Sequence, residues 1–263
     1  MSHRFARTEL LIGSTGLEKL AACKVAVFGL GGVGSFTAEA LARSGVGSLF
    51  LVDHDTVDIT NINRQLHALS DTVGLPKTQV MKERLLQVNP ALQIQTRQQK
   101  FTPELTADML DNRDLDFVVD TIDDVDNKAA LIAGCVKRNM PVISAMGAGN
   151  KLDPTSFKID SIWKTSVCPL ARVMRKKLRA IGITADVPVV YSTARPISPL
   201  ADTNAHTVST RYTPATGSSV PAAHGFCISG PPGSIAYVPS VAGLIMAAFV
   251  TDKLLGLDVF PVV

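Results

Sequence analysis

A glycine-rich turn between a strand-like run and a helix-like run is the feature that most constrains the fold of this chain. Residues 29–34 have the sequence GLGGVG, after an apolar run at 24–29 and before a helical pattern at 35–45. Glycines at these spacings permit a tight turn and a close backbone approach, and the free N–H groups of a helix N-terminus attract phosphate. The segment therefore predicts a nucleotide site at Gly29, Gly31, Gly32 and Gly34.

The alternation around this turn predicts a doubly wound, mainly parallel α/β sheet. Strand-like runs alternate with helical patterns, which is typical of a parallel sheet covered on both faces. The strand-like runs are 24–29, 48–53, 92–99, 115–120 and 141–147, and the helical ones are 35–45, 77–90 and 127–139. Ligands bind such sheets at the carboxyl ends of the strands, where the strand order reverses.

The later part of the chain has a different character. The helical pattern at 169–182 has a basic face and begins with Pro169, a favourable first helical residue. Residues 192–234 contain six prolines and three charged residues, which predicts a long irregular loop before a closing strand or helix. The apolar segment Val238–Val250 has thirteen residues, fewer than the roughly 20 that a membrane span needs. We therefore expect a buried helix there.

Length and composition indicate a single folded domain. Of the 263 residues, 46% are hydrophobic and 19% are charged, which excludes a disordered protein. Residues 1–150 would form the nucleotide-binding half and residues 151–263 a half that completes the domain. The four cysteines show no CxxC spacing, which argues against a disulfide framework and against structural zinc. The polar first residues carry no secretory signal, so we expect a cytoplasmic protein.

Basic residues are concentrated in part of the second half. The net charge is only +3, but residues 151–212 contain ten Lys and Arg against four Asp and Glu. Such a cluster is typical of a surface that binds a polyanion such as RNA, with an affinity that falls as salt rises. A solvated helix face is the alternative interpretation. The candidate residues are Lys164, Arg172, Arg175, Lys176 and Arg179.

Asp53 ends the second strand-like run, where a carboxylate can accept hydrogen bonds from ribose hydroxyls. With the glycine turn alone, it would suit an NAD-dependent enzyme. Displacing pyrophosphate from ATP requires cations on the triphosphate and a carboxylate that holds Mg²⁺. Arg64 and Lys77 could supply the cations and Asp123 the metal ligand. Structural roles are the alternatives: Asn61 capping a turn, Lys77 solvated on a helical turn, and Asp123 capping a helix.

Several motifs resemble those of the ThiF/MoeB family, the adenylating enzymes related to ubiquitin-activating enzyme. They are GLGGVGS at 29–35, LVDHDTVDITNINRQ at 51–65, VGLPK at 73–77, VNP at 88–90 and DTIDD at 120–124. The NRQ and GxPK elements are specific to this family. The resemblance implies a Rossmann-like nucleotide-binding fold, binding of ATP with Mg²⁺, and formation of an acyl-adenylate on a carboxylate.

The resemblance also implies roles for individual residues. Asp53 would bind the ribose, and Asp123 would hold Mg²⁺ with ATP. The remaining implied ATP-binding positions are Asp55, Asn61, Arg64, Gln65 and Lys77. Arg7, in the opening RFAR, matches an arginine that in the family reaches the active site of the partner subunit. We therefore expect a homodimer whose catalytic residues are Arg7, Arg64, Lys77 and Asp123.

Within the family, the chain is more similar to the tRNA threonylcarbamoyladenosine dehydratases. The matching segments are 4–13, 61–69, 146–157 and 164–179. This similarity implies ATP-dependent cyclisation of N6-threonylcarbamoyladenosine beside the anticodon of tRNA, through an acyl-adenylate, with release of AMP and pyrophosphate. The main alternative is an adenylyltransferase that activates the C-terminal carboxylate of a ubiquitin-like sulfur carrier. Two further functions are alternatives: an NAD(P)-dependent oxidoreductase and a non-catalytic tRNA-binding protein. A sulfur-transfer protein is a candidate partner.

Two cysteines and one histidine have open roles. Cys168 precedes Pro169 where the subgroup usually has aspartate, and a weaker N-cap costs a helix about 1 kcal/mol. A thiol of lowered pKa at the helix N-terminus is its alternative role. Cys227, in HGFCISG, is either a nucleophile or an incidental thiol. His67 follows NINRQ closely, and we expect it to have a structural role rather than a catalytic one.

Overall fold

The computed structural model describes residues 3–111, 113–198 and 232–260. Over these ranges, helices alternate with the strands of one sheet. The helices are α1 Ala6–Ala22, α2 Gly34–Ser44, α3 Lys77–Val88, α4 Thr106–Leu110, α5 Val125–Lys137, α6 Pro169–Ala180 and α7 Tyr237–Leu255. The strands are β1 Lys24–Phe28, β2 Ser48–Val52, β3 Gln93–Arg97, β4 Phe117–Asp120, β5 Val142–Ala145, β6 Phe157–Ser161 and β7 Pro188–Ser192.

The sheet has the order β3-β2-β1-β4-β5-β7-β6. Its neighbouring strands run parallel, except that β6 is antiparallel to β7. The strand order reverses between β1 and β4, so the carboxyl ends of these two strands border the crevice in which such sheets bind ligands. The doubly wound, mainly parallel fold predicted from the sequence is confirmed. Strands of both halves of the chain belong to this single sheet.

Helices cover both faces of the sheet, and each face has its own hydrophobic core. One core joins the sheet to α1, α2, α3 and α7, with Leu41, Met81 and Val250 fully buried. The other joins it to α4, α5 and α6, with Leu131 and Met174 fully buried. Strands buried on both faces are nearly continuous apolar runs, which is why β1, β2 and β4 were recognisable in the sequence.

The closing apolar helix is longer than the segment 238–250 suggested. Within the described ranges, α7 is a 19-residue helix that is long and apolar enough to cross a membrane. However, 56% of its apolar 18-residue stretch is buried inside the protein. It packs on α2, where Thr37 Oγ1 donates to Gly243 O at 3.0 Å. A Cβ at Gly243 would collide with the carbonyl oxygen of Val33. The burial expected for this helix is confirmed, but the expectation that the helix is too short to span a membrane was wrong.

The sequence reasoning assigned no element to α1, β6 or β7. The first helix is irregular, because Gly13 interrupts it with a φ of 71°. The strands β6 and β7 form the antiparallel edge of the sheet, outside the alternation that revealed the other strands. Most of the loop predicted at 192–234, with Cys227, lies outside the described residues.

Candidate active site

A cavity of ≈ 600 Å³ opens at the carboxyl ends of β1, β2 and β4, where the strand order reverses. It brings together ten residues that the sequence singled out. They are Gly29, Gly31, Gly32, Asp53, Asp55, Asn61, Arg64, Gln65, Lys77 and Asp123. Gly34, Arg7 and the basic residues of 164–179 do not line this cavity.

The glycine turn requires glycine at specific positions. Gly29 has a φ of 90°, and a Cβ there would lie 2.8 Å from the carbonyl oxygen of Thr121. Gly34 begins α2 so close to Gly29 that a Cβ would overlap the Gly29 carbonyl oxygen. Gly31 has open space instead, since a Cβ there would lie 4.0 Å from its nearest neighbour, the side-chain nitrogen of Gln65. The turn is thus packed tightly on the protein side and open on the cavity side.

Asp53 organises the turn from the end of β2. Its Oδ2 accepts a hydrogen bond from the N–H of Leu30 at 2.6 Å, and its Oδ1 accepts one from the N–H of Asp55 at 2.8 Å. The residue is 8% exposed and lines the cavity. A carboxylate has about four acceptor sites on its two oxygens, so Asp53 keeps capacity for a ligand hydroxyl.

Lys77 and Asn61 are both buried beside the cavity. The Nζ of Lys77 lies 2.7 Å from Asp55 Oδ2, and the lysine side chain is 6% exposed. Asn61 Oδ1 accepts from the N–H of Asp58 and completes a capping box at a short 3-10 turn. The turn-capping role considered for Asn61 is confirmed, whereas Lys77 is not the solvated residue of the alternative interpretation.

Arg64 and Gln65 provide polar groups at the cavity wall. Arg64 Nη1 donates to Thr60 O at 2.8 Å and to Asn63 Oδ1 at 2.9 Å, and Asn63 Nδ2 donates to Ser234 O at 3.0 Å. These hydrogen bonds link Arg64, through Asn63, to the segment that precedes α7. Gln65 is 7% exposed, and its Oε1 has no hydrogen-bond partner within the described residues. An unpaired buried amide oxygen is costly, so it indicates a position that a ligand group completes.

The loop after β4 contains two adjacent carboxylates with different roles. Asp124, not Asp123, caps α5 by accepting from the N–H groups of Asp126 and Asn127, and Asn127's hydrogen bond is the main cause that lowers the pKa of Asp124. The Asp123 side chain makes no hydrogen bond or ion pair within the described residues and is exposed to the cavity. Asp123 is therefore free to bind a cation.

The sequence of the chain matches a known protein family. A family model described as the ThiF family matches residues 5–261. The chain belongs to the ThiF family. The assignment made from the glycine turn and the NRQ and GxPK motifs is confirmed.

Two relatives match this ThiF-family chain over nearly its full length. The tRNA threonylcarbamoyladenosine dehydratase of Bacillus subtilis is 46% identical over 255 residues, which are 97% of this chain and 96% of the relative. The crystal structure of E. coli tRNA N6-threonylcarbamoyladenosine dehydratase, TcdA, in complex with ATP matches with a TM-score of 0.83 and 32% identity, over 97% of this chain and 95% of that one. TcdA has also been solved in complex with AMP.

A sulfur-carrier activator matches over a shorter stretch. The sulfur carrier protein ThiS adenylyltransferase of E. coli is 38% identical over 153 residues, which are 57% of this chain and 60% of the relative. The similarity to the dehydratases extends into the second half of the chain, and this is the part in which the basic helix lies.

The sequence reasoning missed several residues of the site. Lys100 lines the cavity and lies 3.3 Å from Asp124, and Thr121 Oγ1 donates to Phe28 O and Gly29 O. Asp120 and Lys128 form a fully buried ion pair of 3.0 Å behind the β4 loop. A signal was available for this pair, because a lysine and an aspartate within apolar runs are rarely buried unless they are paired.

The basic face of α6 lies beside the cavity rather than in it. Leu170, at the start of α6, lines the cavity, whereas Lys164, Arg172, Lys176 and Arg179 are exposed. Arg175 is half-buried and donates to Thr165 O at 3.1 Å. Val173 on this helix and Ile181 just after it are apolar but 48% and 45% exposed.

The remaining candidates have structural environments. Cys168 is 3% exposed, and its side chain makes no capping hydrogen bond at the start of α6. This agrees with the weak N-cap expected of a cysteine. His67 is 1% exposed, and burial is the main cause that lowers its pKa to about 4. It does not line the cavity, and neither ring nitrogen has a partner within the described residues. A neutral, buried imidazole fits the structural role expected for His67.

A second carboxylate group lies at the rim of the cavity. Ligand atoms of Asp53, His54 and Asp55 lie within 4.8 Å of one another. The carboxylates of Asp53 and Asp55 are already engaged by backbone N–H groups and by Lys77. Asp123 remains the better candidate for a metal ligand.

Proposed function

We propose that this chain is an ATP-dependent tRNA threonylcarbamoyladenosine dehydratase. It cyclises N6-threonylcarbamoyladenosine next to the anticodon, through an acyl-adenylate, with release of AMP and pyrophosphate. The observation that carries this proposal is the full-length similarity to proteins of that name, 46% identity over 97% of the chain. The cavity supports it, because its residues have the charges and the open glycine turn that ATP requires.

The residues present fit ATP. The N–H groups of the glycine turn at the start of α2 suit phosphates, and the open space at Gly31 admits them. Asp53 would accept from ribose hydroxyls, and the unpaired Oε1 of Gln65 and the side-chain amide of the buried, cavity-lining Asn61 would bond to the nucleotide. The cations around the triphosphate would be Arg64, Lys77 and Lys100.

The reaction has two steps. First, a carboxylate oxygen of the threonyl group attacks the α-phosphorus of ATP, and pyrophosphate leaves with the electron pair of the broken P–O bond. Arg64, tied to Thr60 and Asn63, is held in place to stabilise the charge that develops on the phosphates. Next, the neighbouring carbamoyl group attacks the activated carbonyl carbon, AMP leaves with the electron pair of the broken C–O bond, and the carbamoyl group releases one N–H proton to solvent. The sum is the loss of one water from the modified adenosine, with hydrolysis of ATP to AMP and pyrophosphate.

Asp123 is the residue that would hold Mg²⁺ with the phosphates. Its carboxylate is exposed to the cavity and unengaged, which suits an oxygen ligand of a hard cation. When bound, Mg²⁺ neutralises negative charge on the phosphates. No zinc site is part of the proposal, since the chain has no CxxC pair.

We infer that the functional unit is a homodimer. Arg7 lies on the exposed side of α1 and does not line the cavity of its own chain. Leu10 and Leu11 on the same helix are 78% and 87% exposed, which suits a surface that a partner covers. Arg7 would then reach the cavity of the partner subunit.

The remaining expectations complete the proposal. The chain would be one domain over 1–263, with the ATP-binding half at 1–150 and a tRNA-facing half at 151–263. The tRNA would bind the basic residues at 164–179, and the protein would act in the cytoplasm. A sulfur-transfer protein is a candidate further partner. The burial of α7 supports a protein that does not insert into a membrane.

One experiment separates this function from activation of a sulfur carrier. Purified tRNA that carries threonylcarbamoyladenosine is incubated with the protein, with and without ATP, and its nucleosides are analysed by mass spectrometry under mild conditions. We expect an ATP-dependent loss of one water from the modified adenosine. AMP release that requires a ubiquitin-like carrier protein and not tRNA would overturn the proposal in favour of the alternative.

A further inference from the structure

The cations of the basic segment 164–179 are of two kinds. Arg175 is bound to Thr165, and Lys177 forms an ion pair with Asp126 on α5. These two fasten α6 to its surroundings. The others are exposed and make no hydrogen bond or ion pair within the described residues; they are Lys164, Arg172, Lys176 and Arg179.

Arg179 differs from the other free cations because it lies on an aromatic ring. Arg179 is on the last turn of α6, and its guanidinium carbon is 5.0 Å from the centroid of the Trp163 ring. The Trp163 side chain is partly buried and packs against the hydrophobic core. Arg179 is exposed, so its guanidinium is accessible to a ligand.

The ring beneath Arg179 is held in place. Trp163 Nε1 donates to Ala185 O at 2.9 Å, and the backbone N–H of Trp163 donates to Ser161 Oγ at 3.2 Å. Ser161 Oγ in turn donates to Asp186 Oδ1 at 2.6 Å. A planar group that is already oriented loses little conformational freedom on binding, so the Trp163 ring is a preorganised support for Arg179.

We propose that the Trp163–Arg179 stack is the place where an unpaired base of the RNA substrate stacks. Single-stranded loops are recognised by stacking of their bases on aromatic rings and on arginine planes. Arg179 lies nine residues after the cavity-lining Leu170, about 14 Å along the helix, which is the span of a few nucleotides. The stack therefore binds a nucleotide of the same loop as the modified adenosine. This inference rests on the proposed function.

The planarity of Arg179, rather than its charge, is the basis of the assignment. Both arginine and lysine can bind a phosphate through their positive charge, whereas only the planar arginine offers a flat surface to a base. Arg179→Lys removes the plane and keeps the charge. Arg113→Lys is the matched control, because Arg113 also lies over an aromatic ring, with its guanidinium carbon 4.1 Å from the Phe50 centroid, but outside the basic segment and the cavity.

The test uses the full-length protein and an anticodon stem-loop RNA that carries threonylcarbamoyladenosine. Affinity is measured by fluorescence anisotropy of labelled RNA over a range of salt concentrations. We expect Arg179→Lys to weaken binding about fivefold or more with an unchanged salt dependence, and Arg113→Lys to bind like wild type. Trp163 is the only tryptophan, so its emission reports on the stack directly and should change saturably as RNA is added.

The outcomes separate the two proposals. Wild-type affinity in Arg179→Lys, with Trp163 emission unchanged at saturating RNA, overturns the stacking site while cyclisation of the same RNA leaves the proposed function standing. A wild-type protein that neither binds nor cyclises this RNA overturns both. An unchanged thermal melt shows that Arg179→Lys is folded.

Discussion

Lys128 Nζ lies 3.0 Å from Asp120 Oδ2, and neither side chain is exposed to solvent. The same pair binds both backbone polar groups of one residue: Lys128 Nζ donates to Ile122 O, and Asp120 Oδ1 accepts from Ile122 N–H. Ser144 Oγ donates to Asp120 Oδ2 from β5. The loop that presents Asp123 to the cavity is therefore held from beneath by a buried ion pair and its hydrogen bonds.

Replacing Lys128 by methionine should destabilise the protein strongly. Removing one partner of a buried ion pair leaves the other charge without compensation, which lowers the free energy of unfolding by roughly 3–5 kcal/mol. The measurement is denaturant unfolding at neutral pH. Lys137→Met, on the exposed side of the same helix α5, is the control and should change stability by less than about 0.5 kcal/mol. Equal stabilities of the two variants would contradict this role of the pair.

Arg64→Ala should reduce turnover without loss of fold. Arg64 makes hydrogen bonds only near the protein surface, to Thr60 and Asn63, so its removal leaves the core intact. Loss of one charged group that stabilises a transition state typically lowers kcat by about 10²–10³-fold. The readout is AMP release with modified tRNA as substrate. Arg43→Ala removes an exposed arginine on α2 and leaves its partner Glu39 paired with Arg84, so this variant should keep wild-type turnover; a similar loss in both variants would sink the assignment.

The buried His67 should make stability depend on pH in a defined window. Its pKa is lowered from 6.5 to about 4 in the folded chain, so between these values the unfolded state binds more protons and stability rises with pH. The full effect, lost below pH 4, is about 3 kcal/mol. Unfolding at pH 5 and pH 7.5 should therefore differ less in His67→Gln than in wild type. The exposed His54→Gln should keep the wild-type difference, and identical pH dependence in all three proteins would rule out this origin.

How far the sequence predicted this structure depended on the kind of signal. The strands β1, β2 and β4 are apolar runs that end in glycine or aspartate, and such runs between helices have few other interpretations. The edge strand β6 carried no comparable pattern, because only its first and last residues are buried, whereas β7 contains a buried apolar run at 189–191 that was missed. The site residues that belong to motifs, such as Asp53 and Lys77, were found.

The site residues that belong to no motif were missed. Lys100 follows β3 and reaches the cavity only because the sheet places that loop beside α5. The partition of the basic residues could not be predicted either. The sequence makes Arg175 and Arg179 equivalent, whereas in the structure one is bound to Thr165 and the other lies on Trp163. Such differences arise from the packing of α6 against its neighbours.

The placement of Arg7 outside its own cavity predicts complementation between two inactive variants. In a dimer of one Arg7→Ala chain and one Arg64→Ala chain, one of the two sites would receive an intact Arg64 from its own chain and an intact Arg7 from the partner. Random mixing makes half of the dimers of this mixed kind, so about a quarter of the sites should be active. Each variant alone should be inactive in AMP release with modified tRNA. If Arg7 acted within its own chain, each chain of the mixture would lack one residue, and the mixture would be as inactive as the separate variants.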